Sequence, residues 1–439
     1  MRSFTSLIKL SGSNNVIANV GVLLLDRIVR LIGGFILTFV LVAFLEKSDF
    51  GAYSLAVAIL SISALICELG LKPTIARLAA LESGAIEKLR SAIILQVGAT
   101  LIIYPVLIIL ALNLKTEPLL QTMLILLGLT LLFRPFYSPL YWFEGQVQLE
   151  RPTLFLLANY IAFFTIKITL FYLIHDIIII IILNLFEIII GAAIILKLIK
   201  KNGLRITKLE YKKYDFHLVK YSYPYLISSV FGVLYLKIDQ LMIGTYLGSE
   251  EVAPYALASR IVEVCFILPV LFNQTIRPSL IQKNANSRSS FLISLQKIVG
   301  LMIPLGFIIT ILVNLICASI FHFIPNDEYQ NVPSLVLLLS LSIIPIYINN
   351  SVINWFIVSE SQKYLVIRNI VGVVINIILN MIMIPILGLP GAAISTALAR
   401  LFIAVFAHLI WSETRFLTLF ILQSPLRVLD RAREGFKSR

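Results

Sequence analysis

Twelve apolar runs succeed one another along this 439-residue chain, at 17–43, 51–70, 90–113, 119–143, 152–174, 176–198, 219–247, 252–276, 295–320, 333–358, 364–387 and 390–412. An α-helix needs about 20 such residues to cross the hydrocarbon core of a bilayer. Only helices and closed barrels satisfy their own backbone hydrogen bonds there. Barrel strands would be short and would alternate apolar with polar residues, whereas these runs are long and continuously apolar. The chain therefore reads as an all-α integral membrane protein with twelve transmembrane helices. Only 13% of its residues are charged, about half the share in a soluble domain. The opening stretch MRSFTSLIKLSGSNN is polar and basic and has no cleavage pattern behind the first run, which is expected to stay as a span.

Positive charge orients the spans. With the N-terminus placed in the cytoplasm, 27 of the 36 lysines and arginines fall in cytoplasmic segments, and only Lys47 and Lys115 fall on the opposite side. The positive-inside rule then predicts both termini in the cytoplasm. The longest hydrophilic stretch, around 196–221, divides the spans six and six. The expected organisation is an N-terminal lobe at 1–198, a basic cytoplasmic linker at 199–218, a C-terminal lobe at 219–412 and a basic cytoplasmic tail at 413–439. The linker is either a solvated, topology-setting segment or a surface helix resting on anionic lipid. FGAYSLAVAIL after the first span resembles VAPYALASRIV after the seventh, with Tyr53 and Tyr255 in register. A six-span shift preserves orientation, so this is a parallel repeat, the kind that places a pathway between two lobes.

Counting Asp176 and the basic residues at the cytoplasmic span ends with the flanking segments, Arg368 with 359–368 among them, twelve ionisable residues interrupt the spans. The cations are Arg27, Arg30, Arg134, Lys167, Lys237, Arg260 and Arg400; the anions are Asp26, Glu68, Glu187, Asp239 and Glu263. Each costs about 2.5–3.5 kcal/mol at a helix centre, so most must face protein or water. Asp26 and Arg30 are four apart and Arg260 and Glu263 three apart, so both pairs can share a helix face, either as packing pins or as part of a site. Lys237 and Asp239 are two apart and point about 200° from each other, so each needs a partner elsewhere. Arg27, Arg134, Lys167 and Arg400 have no acidic residue at pairing distance along their own helix. The surplus is cationic, and arginine's planar fork suits phosphate oxygens. Asn369, Asn376 and Asn380 form a polar stripe on one helix face, for interhelical bonding or for lining a pore. Pro105, Pro135, Pro139, Pro269, Pro304 and Pro345 are expected to kink helices.

Other chemistries find no support. The three cysteines and four histidines are scattered without ligand spacing, so no metal and no cofactor is expected. There is no Walker loop, GxSxG or HExxH motif, and the outer loops are short, which speaks against an enzyme.

Three stretches carry a family resemblance: DFGAYSLAVAILSISALICELGLKPTIAR, KIDQLMIGTYLGSEEVAPYALASRIVEVCFILP and NIVGVVINIILNMIMIPILGLPGAAISTALAR. In their order and spacing the chain resembles the polysaccharide (O-antigen type) flippases of the multidrug/oligosaccharidyl-lipid/polysaccharide exporter superfamily. Pro254 departs from the pattern, which more often has glycine before the tyrosine. The resemblance implies two six-helix lobes around a central cavity, working by alternating access on an isoprenoid-diphosphate-linked oligosaccharide in a bacterial inner membrane. It implies that the cationic span residues, Arg27, Arg30, Arg134, Lys167, Lys237, Arg260 and Arg400, contact that cargo. It makes Asp26, Asp239 and Glu263 candidates for coupling to a proton or sodium ion. Membrane lipids and polysaccharide polymerase machinery are the implied partners, and no nucleic acid is expected. A cation-coupled exporter of small molecules keeps the fold and changes the cargo; the basic surplus disfavours it. A membrane enzyme of glycan assembly would need a larger outer loop. A lipid II flippase of the same superfamily would be expected to have fourteen spans.

The orientation is testable with reporters. A green fluorescent protein fused at the C-terminus should fluoresce, and an alkaline phosphatase fused beside Lys115 should be active. The opposite pattern at either site reverses the topology.

Overall fold

The computed structural model describes residues 13–81, 85–114, 117–202, 217–323, 327–359 and 361–425. These residues contain helices and no strands. In chain order the helices are α1 (Ser13–Phe44), α2 (Lys47–Glu68), α3 (Leu71–Leu81), α4 (Ala85–Asn113), α5 (Pro118–Gly128), α6 (Pro139–Gly145), α7 (Glu150–Ile174), α8 (Ile177–Lys201), α9 (His217–Leu247), α10 (Ser249–Val264), α11 (Ile267–Asn286), α12 (Arg288–Phe323), α13 (Val332–Ser340), α14 (Ile343–Val358), α15 (Gln362–Leu387) and α16 (Leu389–Leu401). A 3₁₀ stretch, Leu129–Tyr137, joins α5 to α6. Together they make twelve helical segments long and apolar enough to cross a membrane, from Gly21–Phe44 to Leu389–Ile410. Several run further than the apolar runs: the second reaches Leu81 and the eighth reaches Asn286. Helix propensity carries them past the hydrocarbon edge, which hydropathy alone cannot see. Most of the basic linker, and the tail beyond 425, lie outside the described residues.

The chain forms two compact units, Met1–Val233 and Leu234–Arg439. The boundary falls inside α9 and not at the linker. The reason lies in the first turns of α9, where Leu218 joins an apolar cluster with Leu71, Ile75 and Leu89. One turn on, the Ser222 hydroxyl donates to the Leu69 carbonyl.

In each unit the second and fourth spans are broken. The second breaks at Leu69 and Gly70, between α2 and α3, and the fourth through its 3₁₀ stretch. The eighth breaks at Cys265 and Phe266, and the tenth at Leu341 and Ser342. The same ordinal spans break in both halves, the pattern a parallel repeat predicts. Proline punctuates the restarts. Pro139 opens α6, and Pro269 and Pro345 fall in the first turns of α11 and α14, where a missing N–H is harmless.

The break at Gly70 rests on backbone geometry. Leu69 and Gly70 both have positive φ, 53° and 63°. A β-carbon on Gly70 would sit 2.4 Å from the Leu226 amide nitrogen and 2.7 Å from the Ser222 carbonyl oxygen. Main chain cannot move aside for it. Gly70→Ala should therefore lower the thermal stability of the purified protein by about 1–3 kcal/mol through strain and overpacking, seen as a drop in melting temperature in detergent.

Candidate functional site

The charges interrupting the spans sort by burial and by partner. In the first unit, Arg30 Nε donates to Asp26 Oδ1 at 2.8 Å, the pair expected along one helix. Its guanidinium lies 4.7 Å from the Tyr160 ring centroid, and Nη2 reaches the Leu156 carbonyl at 3.4 Å. Arg27 is exposed. Arg134, in the 3₁₀ break of the fourth span, meets Glu68 at 3.7 Å, the last residue before the break of the second. The side chain of Gln96 caps the same break by donating to the Glu68 carbonyl at 2.9 Å. Interrupted helices expose carbonyls and amides, and polar side chains gather there to satisfy them. Lys167 is different. It is buried, donates to Asn184 Oδ1 and meets Glu187 Oε2 at 2.6 Å, all between α7 and α8.

The second unit holds the denser constellation. Lys237 and Asp239 diverge on α9, as their spacing requires. Lys237 Nζ lies 3.6 Å from Glu263 Oε1. Arg260 meets the other oxygen of the same carboxylate at 3.9 Å, so one anion serves two cations. Glu263 lies in the last turn of α10, just before the break of the eighth span. Asp239 turns inward and is 2% exposed. Its Oδ2 accepts from Thr396 Oγ1 at 2.6 Å and from the Tyr255 hydroxyl at 3.0 Å; its Oδ1 accepts from Asn380 Nδ2 at 2.6 Å. The cage is built by α9, α10, α15 and α16, and all three of its donors are neutral. Asn380 also bonds Asn376 Oδ1 at 3.3 Å, while its own Oδ1 is buried without a hydrogen-bond partner. Beside the cage is a cavity of about 10 Å³, lined by Asp239, Tyr255, Glu263 and Arg400. That is room for about one water molecule or one small ion.

Arg400 lies one helical turn beyond Thr396. It is 7% exposed, donates from Nη1 to Ser342 Oγ at 2.7 Å and stacks 5.1 Å from the Phe266 ring. Ser342 and Phe266 are the break residues of the tenth and eighth spans, so Arg400 ties two breaks together.

Sequence reading missed several members. Glu68 and Glu187 were visible as charges in spans, but nothing local pairs them with Arg134 and Lys167. Thr396 sits in a small-residue run with no signal except its spacing of four from Arg400. Arg368, at the cytoplasmic end of the eleventh span, reads from the sequence as part of the flanking segment 359–368. It lies within α15, 1% exposed, 5.0 Å from the Phe356 ring. The apolar run hides it because the arginine sits at the run's end, where hydropathy cannot tell a wrapped side chain from a solvated one.

The Lys167–Glu187 pair is a structural tie with a measurable weight. Lys167→Met leaves a partly buried carboxylate without its cation and should cost up to about 3 kcal/mol. Adding Glu187→Met should recover most of that loss. A thermal denaturation series of the two single variants and the double variant checks this.

Comparison with known proteins places the fold. A family model described as polysaccharide biosynthesis protein matches residues 16–275, and a second, MatE, matches residues 224–382. Among curated proteins, none matches the sequence. A solved lipid II flippase, MurJ, in an inward closed conformation is 19% identical, with 92% of this chain and 91% of that chain covered and a TM-score of 0.67. An inward-facing multidrug resistance MATE family transporter of the MOP superfamily is 13% identical, covers 95% of this chain and 99% of its own, and has a TM-score of 0.62. A MOP superfamily transporter from Pyrococcus furiosus, described as having a binding pocket of reversed polarity, is 12% identical over 95% and 94% of the two chains, with a TM-score of 0.56. With a family model matched across more than half of this chain, it belongs to the polysaccharide biosynthesis protein family.

Proposed function

We propose that this protein is a flippase that moves an isoprenoid-diphosphate-linked oligosaccharide, an O-antigen-type repeat unit or similar, from the inner to the outer leaflet of a bacterial cytoplasmic membrane by alternating access. The observation that carries the proposal is the looseness of the accessible ion pairs. Arg134–Glu68, Lys237–Glu263 and Arg260–Glu263 span 3.6–3.9 Å, against about 2.7–2.9 Å for a tight charge-assisted hydrogen bond. Their cations remain partly open, and one carboxylate is shared by two of them. A diphosphate offers more oxygens and more charge than a glutamate, so it can take over these cations with little rearrangement. Arg27 and Arg30 add positive charge on an open face of α1, where contact with acyl chains would be costly. Lys167 and Arg400 are tied into helix packing, and we assign them to structure and not to cargo.

Asp239 is the residue we assign to ion coupling. A carboxylate held by neutral donors makes no ion pair of its own in a low-dielectric interior, although Arg400 lines the same small cavity. A proton or a sodium ion would cancel its charge, and the oxygens of Asn376, Asn380 and Thr396 are of the hard type that a small cation accepts. Asp239 and Lys237 share α9, so the state of the cage sets the position of a cargo-facing cation two residues away. Asp26 and Glu263 are engaged by cations, and we assign them the role of holding those cations between transport cycles. A second reading, a cation-coupled exporter of small molecules, gains support from the MatE match over the half containing Asp239. The two readings share the coupling residue and differ in cargo, and the exposed positive surplus suits an anion.

The test is complementation of a strain lacking its own flippase, scored by surface polysaccharide. Lys237→Ala and Arg134→Ala should each abolish complementation while the protein still reaches the membrane; normal polysaccharide from both would refute the cargo assignment. Asp239→Asn should remove the dependence of flipping in proteoliposomes on an imposed proton or sodium gradient, and the gradient that matters in the native protein identifies the ion.

A further inference from the structure

A cavity of about 930 Å³ opens in the first unit, away from the interrupting charges, where α6 ends, α7 begins and α8 ends. Its lining is ordered by polarity. On α7, Arg151, Leu154, Phe155 and Ala158 fall at i, i+3, i+4 and i+7, one stripe along a helix face. On α8, Leu198 and Lys201 fall at i and i+3. Both helices thus present a cation at their ends and apolar side chains further along. Leu154 and Phe155 are 42% and 53% exposed, and both cations are exposed. Neither Arg151 nor Lys201 has an ion pair among the described residues. Glu150 contributes one carboxylate to the wall, which leaves the cavity with a positive surplus.

We infer that this cavity binds one anionic phospholipid of the inner leaflet. Its phosphate lies between Arg151 and Lys201, and one acyl chain runs along Leu154, Phe155 and Ala158. The order of charge and oil along both helices is that of a phospholipid entering from the helix ends. A peptide would need polar groups along the stripe for its backbone, and a free anion would leave the apolar stripe unused. The side of the membrane follows from charge: α8 ends in Lys200 and Lys201 and leads into the basic linker, which places this end against the anionic leaflet. A lipid here would fasten α7 to α8 at the interface. The inference rests on the membrane topology alone and is independent of what the protein transports.

The test uses the full-length protein in detergent and native mass spectrometry with phosphatidylglycerol and phosphatidylcholine of matched chains. The wild type should retain one phosphatidylglycerol in preference to phosphatidylcholine. Arg151→Gln/Lys201→Gln should lose that preference, by roughly thirtyfold if each cation contributes about 1 kcal/mol. Leu154→Gln/Phe155→Gln keeps both cations and should weaken retention of either lipid. Both variants alter exposed positions, and unchanged melting in phosphatidylcholine confirms their fold. Equal retention by wild type and the Arg151/Lys201 variant overturns the inference. So does competition by glycerol phosphate as strong as that by the intact lipid, which would mean a plain anion site. Displacement by an isoprenyl diphosphate at equal concentration also overturns it, by making the cavity a cargo site. Complementation by the Arg151/Lys201 variant separates this result from the flippase reading.

Discussion

An ionised side chain in hydrocarbon is expensive, and the internal organisation of this protein follows from how each such charge is compensated. Three solutions recur, beside Arg400 on Ser342 and the Phe266 ring and Arg368, whose buried guanidinium lies against the Phe356 ring without a hydrogen-bond partner. Lys167 and Glu187 form a tight pair between two neighbouring helices, with the lysine buried. Arg134, Lys237 and Arg260 sit in loose, partly open pairs at 3.6–3.9 Å. Asp239 is held by hydroxyls and an amide and meets no cation in its cage. The first solution stabilises. The second leaves cations partly open, and the third holds a carboxylate on neutral donors.

The same cost applied to the backbone explains the broken helices. A helix interrupted inside the membrane exposes carbonyls that water cannot reach. Gln96 satisfies one at the end of α2, and the Tyr347 hydroxyl donates to the Cys265 carbonyl at 3.0 Å in the second unit. The breaks therefore draw polar side chains toward them, and the charges of interest lie there: Glu68, Arg134 and Glu263 at or beside a break, Arg400 between two. Irregular backbone and intramembrane charge occupy the same places because each supplies the other with hydrogen-bond or ion-pair partners.

Some of this was legible residue by residue. The Asp26–Arg30 and Arg260–Glu263 pairs follow from spacing on one helix, and both form. The divergence of Lys237 and Asp239 follows from helix geometry, and their partners are indeed on other helices. The asparagine stripe on α15 left two readings open, and Asn380 bonding Asp239 decides for interhelical hydrogen bonding at that position. Glu68 as the partner of Arg134, Glu187 as the partner of Lys167 and Thr396 as a wall of the Asp239 cage were not legible. Each depends on the rotation and depth of two helices far apart in sequence.

The amino-acid sequence by itself determined that the chain is helical, that it has twelve spans, and that their interior carries more positive than negative charge. These are local or additive properties: apolar length and residue counts survive any arrangement of the helices. Only the tertiary structure decided which charges are neutralised, which stay open, and that Arg368 is wrapped inside α15 and not left in a loop. Pairing is a property of distances between helices, and those are set by how side chains interlock across the whole unit.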